Sequence, residues 1–276
     1  MTLTVGSLFS GIGGLDLGLE RAGMKVIWQS EIDPYCNKVL KKHWPEVTNY
    51  GNIKDIDWTT VERPDVICGG YPCQPFSVAG KRQGTDDPRH LWPWVKDAIG
   101  ALRPTYAILE NVRGHISMGG LQVVGELAEI GYDAEWRVVS AAGMGAPHKR
   151  ERIIIVAYSN DSRGRAQRST IDSHWKTQIQ ERQNIVEFGS CRCSKDVANT
   201  NGRRCEQCEP QRKPLSWIGS SSKRNYADWW ETEPNVGRVV DGVSNRVDRL
   251  RGLGNAVVPQ VAEYIGHLVM AAHNNS

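Results

Sequence analysis

No stretch of the 276 residues approaches the roughly 18 consecutive apolar residues of a membrane span. The opening MTLTVGSLFSGIGG also lacks a basic segment leading into an apolar core with a cleavage site. A cytoplasmic protein with no membrane partner is expected. Cysteine is sparse and odd in number, seven in all, which does not make a secreted disulfide framework, so reduced thiols are the default. Charge of one sign is scarce too, with a formal net of only +3, but it is unevenly placed. Between Asp161 and Asn225 there are 13 Lys/Arg against 7 Asp/Glu, a local +6 that leaves −3 for the remainder. A basic segment is the usual electrostatic footprint of nucleic-acid binding. Missing as well is the dinucleotide spacing GxGxxG, in whose place stands the shorter GIGG at Gly11–Gly14.

What is present centres on GGYPCQPFS, Gly69–Ser77. The apolar run Val66-Ile67-Cys68 reads as a buried strand running into two glycines, after which Pro72 and Pro75 bracket Cys73 on a loop of restricted backbone freedom. A free cysteine is most often a small buried apolar residue. A thiol held just past a strand end sits instead where parallel α/β sheets place ligand-contacting loops, so Cys73 is the candidate nucleophile.

The first 30 residues read as strand, glycine turn, helix and strand. Leu3–Phe9 is the first strand, and Leu15, Leu19 and Ala22 give a helical apolar face closed by Gly23. Lys25–Ser30 is the second strand. Glu31, at its end, is placed to accept hydrogen bonds from ribose hydroxyls, and Asp33-Pro34 caps the helix that follows. The strand Thr105–Leu109 ends in Glu110, a carboxylate whose burial would make it a proton donor near neutral pH. Arg150 and Arg152 alternate with Glu151 along an incipient strand, so the arginines face one side and the acid the other. Gln260–Met270 closes the chain as a helix expected to pack beside the first.

Phe9–Gly14, Glu31, Gly69–Ser77, LENV at Leu109–Val112, HKRER at His148–Arg152 and GNAVVPQ at Gly254–Gln260 each carry little weight alone. In this order and spacing they resemble the DNA cytosine-5 methyltransferases, over Met1 to about Tyr158 and about Asn245 to Ser276. The resemblance implies an α/β, Rossmann-like sheet binding S-adenosylmethionine (SAM). It places the catalytic domain in residues 1–158 plus 245–276, and a small, loop-rich target-recognition domain, 159–244, before the C-terminal helix. It implies Cys73 as the nucleophile on C6 of cytosine, Glu110 at the N3/N4 edge, Arg152 on O2, and Arg150 placing the base and the cysteine loop. Phe9, Gly11, Ile12, Gly13 and Gly14 would shape the methionine side of the cofactor site. Glu31 would take the ribose, Ile32 would pack on the adenine with Asn52 at its amino group, Pro72, Leu91 and Asn255 would line the remainder, and Ile53 and Val257 are further cofactor-binding candidates. Double-stranded DNA is the implied partner and a monomer the expected state.

The sequence departs from the family's usual pattern at His148, Asn52 and Ala256, none of which removes a group the reaction requires. Cys191, Cys193, Cys205 and Cys208 lie in the basic block at a spacing that could hold a structural zinc. The first pair is CxC rather than the commoner CxxC, so free thiols are expected. Two other functions share these motifs: an RNA cytosine methyltransferase of the tRNA type, and a non-catalytic DNA-binding relative. The basic insert favours DNA, and the complete set Cys73, Glu110 and Arg152 favours catalysis.

Overall fold

The computed structural model of the chain describes residues 2–72, 91–146, 148–160 and 246–274. Cys73, the zinc-candidate cysteines and the 161–245 block lie outside them. The chain divides into two units, Met1–Ile171 with Val239–Ser276, and Asp172–Arg238; the described residues all belong to the first.

Seven strands and six helices are described. β1 (Thr4–Leu8) leads through the glycine turn into α1 (Gly14–Arg21), β2 (Lys25–Ser30), α2 (Pro34–His43) and the two-residue β3 (Thr48–Asn49). β4 (Val66–Gly69), α3 (Trp92–Leu102), β5 (Tyr106–Val112), α4 (Gly120–Glu129), β6 (Tyr132–Ser140) and β7 (Glu151–Ser159) follow, then α5 (Arg246–Asn255) and α6 (Pro259–Asn274). Local chemistry fixes several boundaries. Asp33 caps α2, its carboxylate accepting from Tyr35 and Cys36 N–H at 2.9 and 3.0 Å, with Pro34 at the first helical position. β5 runs through Glu110 to Val112, so the acid lies within the strand and not beyond its end.

The strands form one sheet in the order β3-β2-β1-β4-β5-β7-β6. β1 to β5 pair in parallel, and β7 is antiparallel to both its neighbours. This is the expected Rossmann-like α/β sheet. The carboxyl ends of β1, β2, β4 and β5 lie along one edge, where open α/β sheets bind ligands. Ile67 and Leu109 on the central strands are fully buried in one core with Trp28 of β2, and Ile108, alternating to the other face, is fully buried too, as a sheet covered on both faces requires.

The closing helix packs on the first, as expected. A Cβ at Gly18 of α1 would lie 2.4 Å from both Ala262 Cβ and Pro259 O of α6, so only hydrogen fits between the two backbones. Leu15 and Leu19 of α1 and Val261, Ile265 and Val269 of α6 are buried. Arg21 reaches Glu263 at 3.9 Å.

Candidate active site

At the edge of the sheet two clusters form. The first is built on β5 and β7. Register places Val112 opposite Arg152, which makes Glu110 and Arg152 diagonal neighbours on one face of the antiparallel pair. Arg152 Nε donates to Glu110 Oε1 at 2.8 Å. Glu151 points the other way and pairs with Arg113 at 2.7 Å. Burial pushes the Glu110 carboxyl up from its ordinary range, against the opposing pull of Arg152 and, less strongly, Arg150. Its Oε2 sits against Gly70, where an added Cβ would come within 2.9 Å. The chain entering Cys73 therefore passes directly beneath the acid.

β5 and the turn that follows it, Arg113–Met118, hold that chain at two further points. Asn111 Nδ2 donates to Tyr71 O at 3.1 Å, and the Tyr71 hydroxyl lies 2.7 Å from His115 Nε2. His115 is buried, its Nδ1 has no partner, and burial lowers its pKa to about 4, so the ring is neutral at physiological pH. Arg150, half-buried at the entry to β7, donates through one terminal nitrogen to the carbonyls of Gly254 and Ala256 at 2.7 and 2.6 Å. It thus ties the C-terminal motif to the strand that carries Arg152. Burial, and the like charge of Arg152 after it, lower its pKa.

The second cluster surrounds the glycine turn. Phe9, Gly11 and Gly13 all have positive φ (52°, 56° and 82°), a backbone that glycine adopts without strain at the last two. A Cβ on Gly11 would meet only Phe9 O, at 3.9 Å, so the space above it is open. Gly11 N–H donates to Glu31 Oε2 at 2.8 Å, while Glu31 Oε1 accepts from Ile32 and Asp33 N–H at 2.8 and 2.7 Å. Beside that carboxylate Ile32 is 67% exposed, an unusual state for isoleucine. The open glycine turn, an acceptor carboxylate and a bare apolar side chain fit a nucleoside carrying an amino-acid tail. Gly14 packs on Val257, whose carbonyl would lie 2.3 Å from a Cβ there, so α1 and the C-terminal segment close the same cradle.

The other candidates divide. Ile12 lies against Gly252 of α5, whose added Cβ would meet it at 3.1 Å, and Pro72 and Asn255 are exposed. Leu91 is the N-cap residue of α3 and is half-buried. Asn52 caps the short turn Ile53–Asp55, its amide oxygen accepting from Lys54 N–H and its nitrogen donating to Asp55. Ile53 sends its side chain into the core, which leaves only its backbone to a ligand. Sequence reading missed Gly70, Asn111, Tyr71 and His115. The glycine pair and the asparagine after Glu110 were visible, but contacts between β4 and β5 are set by register.

A family model described as C-5 cytosine-specific DNA methylase matches residues 3–238. The chain belongs to that family. The Type II methyltransferase M.Eco47II of Escherichia coli is 40% identical over 166 residues, 57% of this chain and 40% of that protein. The Type II methyltransferase M.NgoBI of Neisseria gonorrhoeae is 37% identical over 159 residues, 56% of this chain and 50% of that protein. The chain spans about half the length of the curated relatives it matches. A crystal structure of Spodoptera frugiperda DNMT2 shares the fold, with a TM-score of 0.51 over 58% of this chain and 51% of that one at 24% identity. Among the described residues no helix is long and apolar enough to cross a membrane.

Proposed function

We propose that the chain transfers a methyl group from SAM to C5 of a cytosine in duplex DNA, as the modification partner of a restriction system. The observation that carries this reading is the buried Glu110, paired with the half-buried Arg152 and set directly over Gly70, three residues before Cys73. An acid with a raised pKa, a fixed cation and a thiol-bearing loop are the three groups that addition to a cytosine ring requires.

Cys73 attacks C6 as thiolate. Glu110 gives its proton to N3, and the ring electrons collect at C5 as an enamine. Arg152 holds O2 and keeps Glu110 aimed at the N3 edge. Bound SAM supplies an electrophilic methyl group on a sulfonium sulfur. After C5 has taken the methyl, a water molecule takes the C5 proton, the C6–sulfur bond breaks so that Cys73 leaves as thiolate, and N3 returns its proton to Glu110. The target base has to be turned out of the helix to reach the pocket, at a cost of about a few kcal/mol. The 159–244 segment, with its basic charge, is assigned to reading the sequence.

Glu31 and Ile32 would hold the ribose and adenine, and the glycine turn the methionine portion, with Gly14 and Val257 closing the wall. Incubation with methyl-labelled SAM and either duplex DNA or tRNA tests the reading. Label in DNA at C5 of cytosine is expected, and label confined to tRNA would overturn it. Duplex DNA bearing 5-fluorocytosine should form a covalent complex that the Cys73→Ala variant does not.

A further inference from the structure

Among the described residues two carboxylates are buried: Glu110, which the proposed chemistry uses, and Asp16, which it does not. Asp16 stands in the first turn of α1, directly after the glycine turn, and is 0% exposed. Its Oδ2 accepts the Ser7 hydroxyl at 3.0 Å and its Oδ1 the Gln29 amide at 2.8 Å. The Ser10 hydroxyl in turn donates to Ser7 Oγ at 2.9 Å. Ser10 lies between Phe9 and Gly11, so a chain of two hydrogen bonds joins the acid to the cradle. Ser7, Ser10 and Gln29 are all buried.

No lysine, arginine or histidine among the described residues pairs with Asp16. The titratable groups around it are Glu20, one turn further along α1, and the buried Cys68 thiol on β4. Glu31, the other acid at the turn, is engaged by Gly11, Ile32 and Asp33. Desolvation raises the Asp16 pKa to about 6, with the Gln29 and Ser7 hydrogen bonds opposing it. Above that pH the protein holds a buried anion without a counter-cation, which destabilises the fold. A cation docked on the turn would offset that cost; a neutral ligand would not.

We infer that Asp16 is a specificity-determining residue of the cofactor cradle: its buried charge, relayed by Ser7 and Ser10, makes the glycine turn favour a sulfonium over the neutral thioether left after methyl transfer. The inference rests on the methyl-donor reading above. Donor and product share every other group, so the ratio of their affinities isolates the charge at sulfur. Such a bias eases product release, since the thioether loses the attraction the donor enjoyed.

The test is calorimetric binding of SAM and S-adenosylhomocysteine to the full chain, wild type and Asp16→Asn, at pH 7.5 and pH 5. At an effective dielectric of about 20, unit charges on the order of 10 Å apart change an affinity by about tenfold. The wild-type preference for SAM is therefore expected to drop about tenfold in Asp16→Asn at pH 7.5, with the thioether's affinity held within about twofold. Lowering the pH to 5 should reduce the preference similarly in wild type and leave it flat in the variant. Parallel weakening of both ligands would make Asp16 a structural residue and overturn the inference, as would an unmoved ratio. Should Asp16→Asn fail to fold, the wild-type pH series decides alone. Wild type that binds neither ligand would overturn the cofactor reading itself, an outcome distinct from a ratio insensitive to charge.

Discussion

Gly70 shows how much of the proposed chemistry rests on the absence of a side chain. A methyl group there would press on Glu110 Oε2 and push the carboxyl out of line with Arg152. Gly70→Ala is expected to lower kcat by about 100-fold, the low end of what a positioned general acid contributes, while leaving SAM affinity within about twofold; a kcat within fivefold of wild type would refute this. Two other buried titratable side chains, Asp16 and His115, act on stability with opposite signs. Asp16 has a folded pKa raised from 3.8 to about 6, so it favours folding below 3.8 and that contribution is lost as pH rises through 6. The shift amounts to on the order of 3 kcal/mol. His115 has a folded pKa lowered from 6.5 to about 4, so stability falls as pH drops through that window. Thermal unfolding between pH 4 and 8 should thus show Asp16→Asn gaining on wild type toward pH 8. His115→Gln should gain on wild type toward pH 4. A variant-minus-wild-type difference independent of pH would contradict either assignment.

At the scale of elements, α1 and α6 meet through Gly18, and their contact fixes the back of the cradle. Gly18→Leu would force the helices apart and is expected to cost about 3 kcal/mol by overpacking. That corresponds to a fall in Tm of roughly 6–12 °C for a domain of this size, readable by circular dichroism. A Tm within about 2 °C of wild type would mean the helices separate without penalty. Most of these elements were legible in the sequence. The apolar spacing of Leu15, Leu19 and Ala22 marked α1, and Asp33-Pro34 marked the start of α2. Arg150 and Arg152 were legible as a pair but not as having different tasks. Arg152 turns to Glu110 while Arg150 turns to carbonyls more than 100 positions away, and no local pattern encodes such a partner. Asp16 escaped notice for a related reason. An acid on a helix next to an apolar stripe reads as solvent-facing, and only the strands that pack on it reveal Ser7 and Gln29 as its partners.

For the molecule as a whole, a Rossmann-like sheet was implied by resemblance, while the strand order β3-β2-β1-β4-β5-β7-β6, with β7 antiparallel to its neighbours, was not read from the sequence. The six motifs fall on both sides of the basic segment, and the described residues draw the outer ones together. Gly14 meets Val257, and Arg150 meets Gly254 and Ala256. The contact between Gly14 and Val257 also has a bearing on synthesis. Val257 follows Gly14 by 243 residues. At a ribosomal rate of about 5–20 residues per second the glycine turn waits roughly 12–50 s for its wall. Until then a nascent chain carries an open half-cradle and an unclamped β7, so it emerges already folding with the far wall of its glycine turn still to be made.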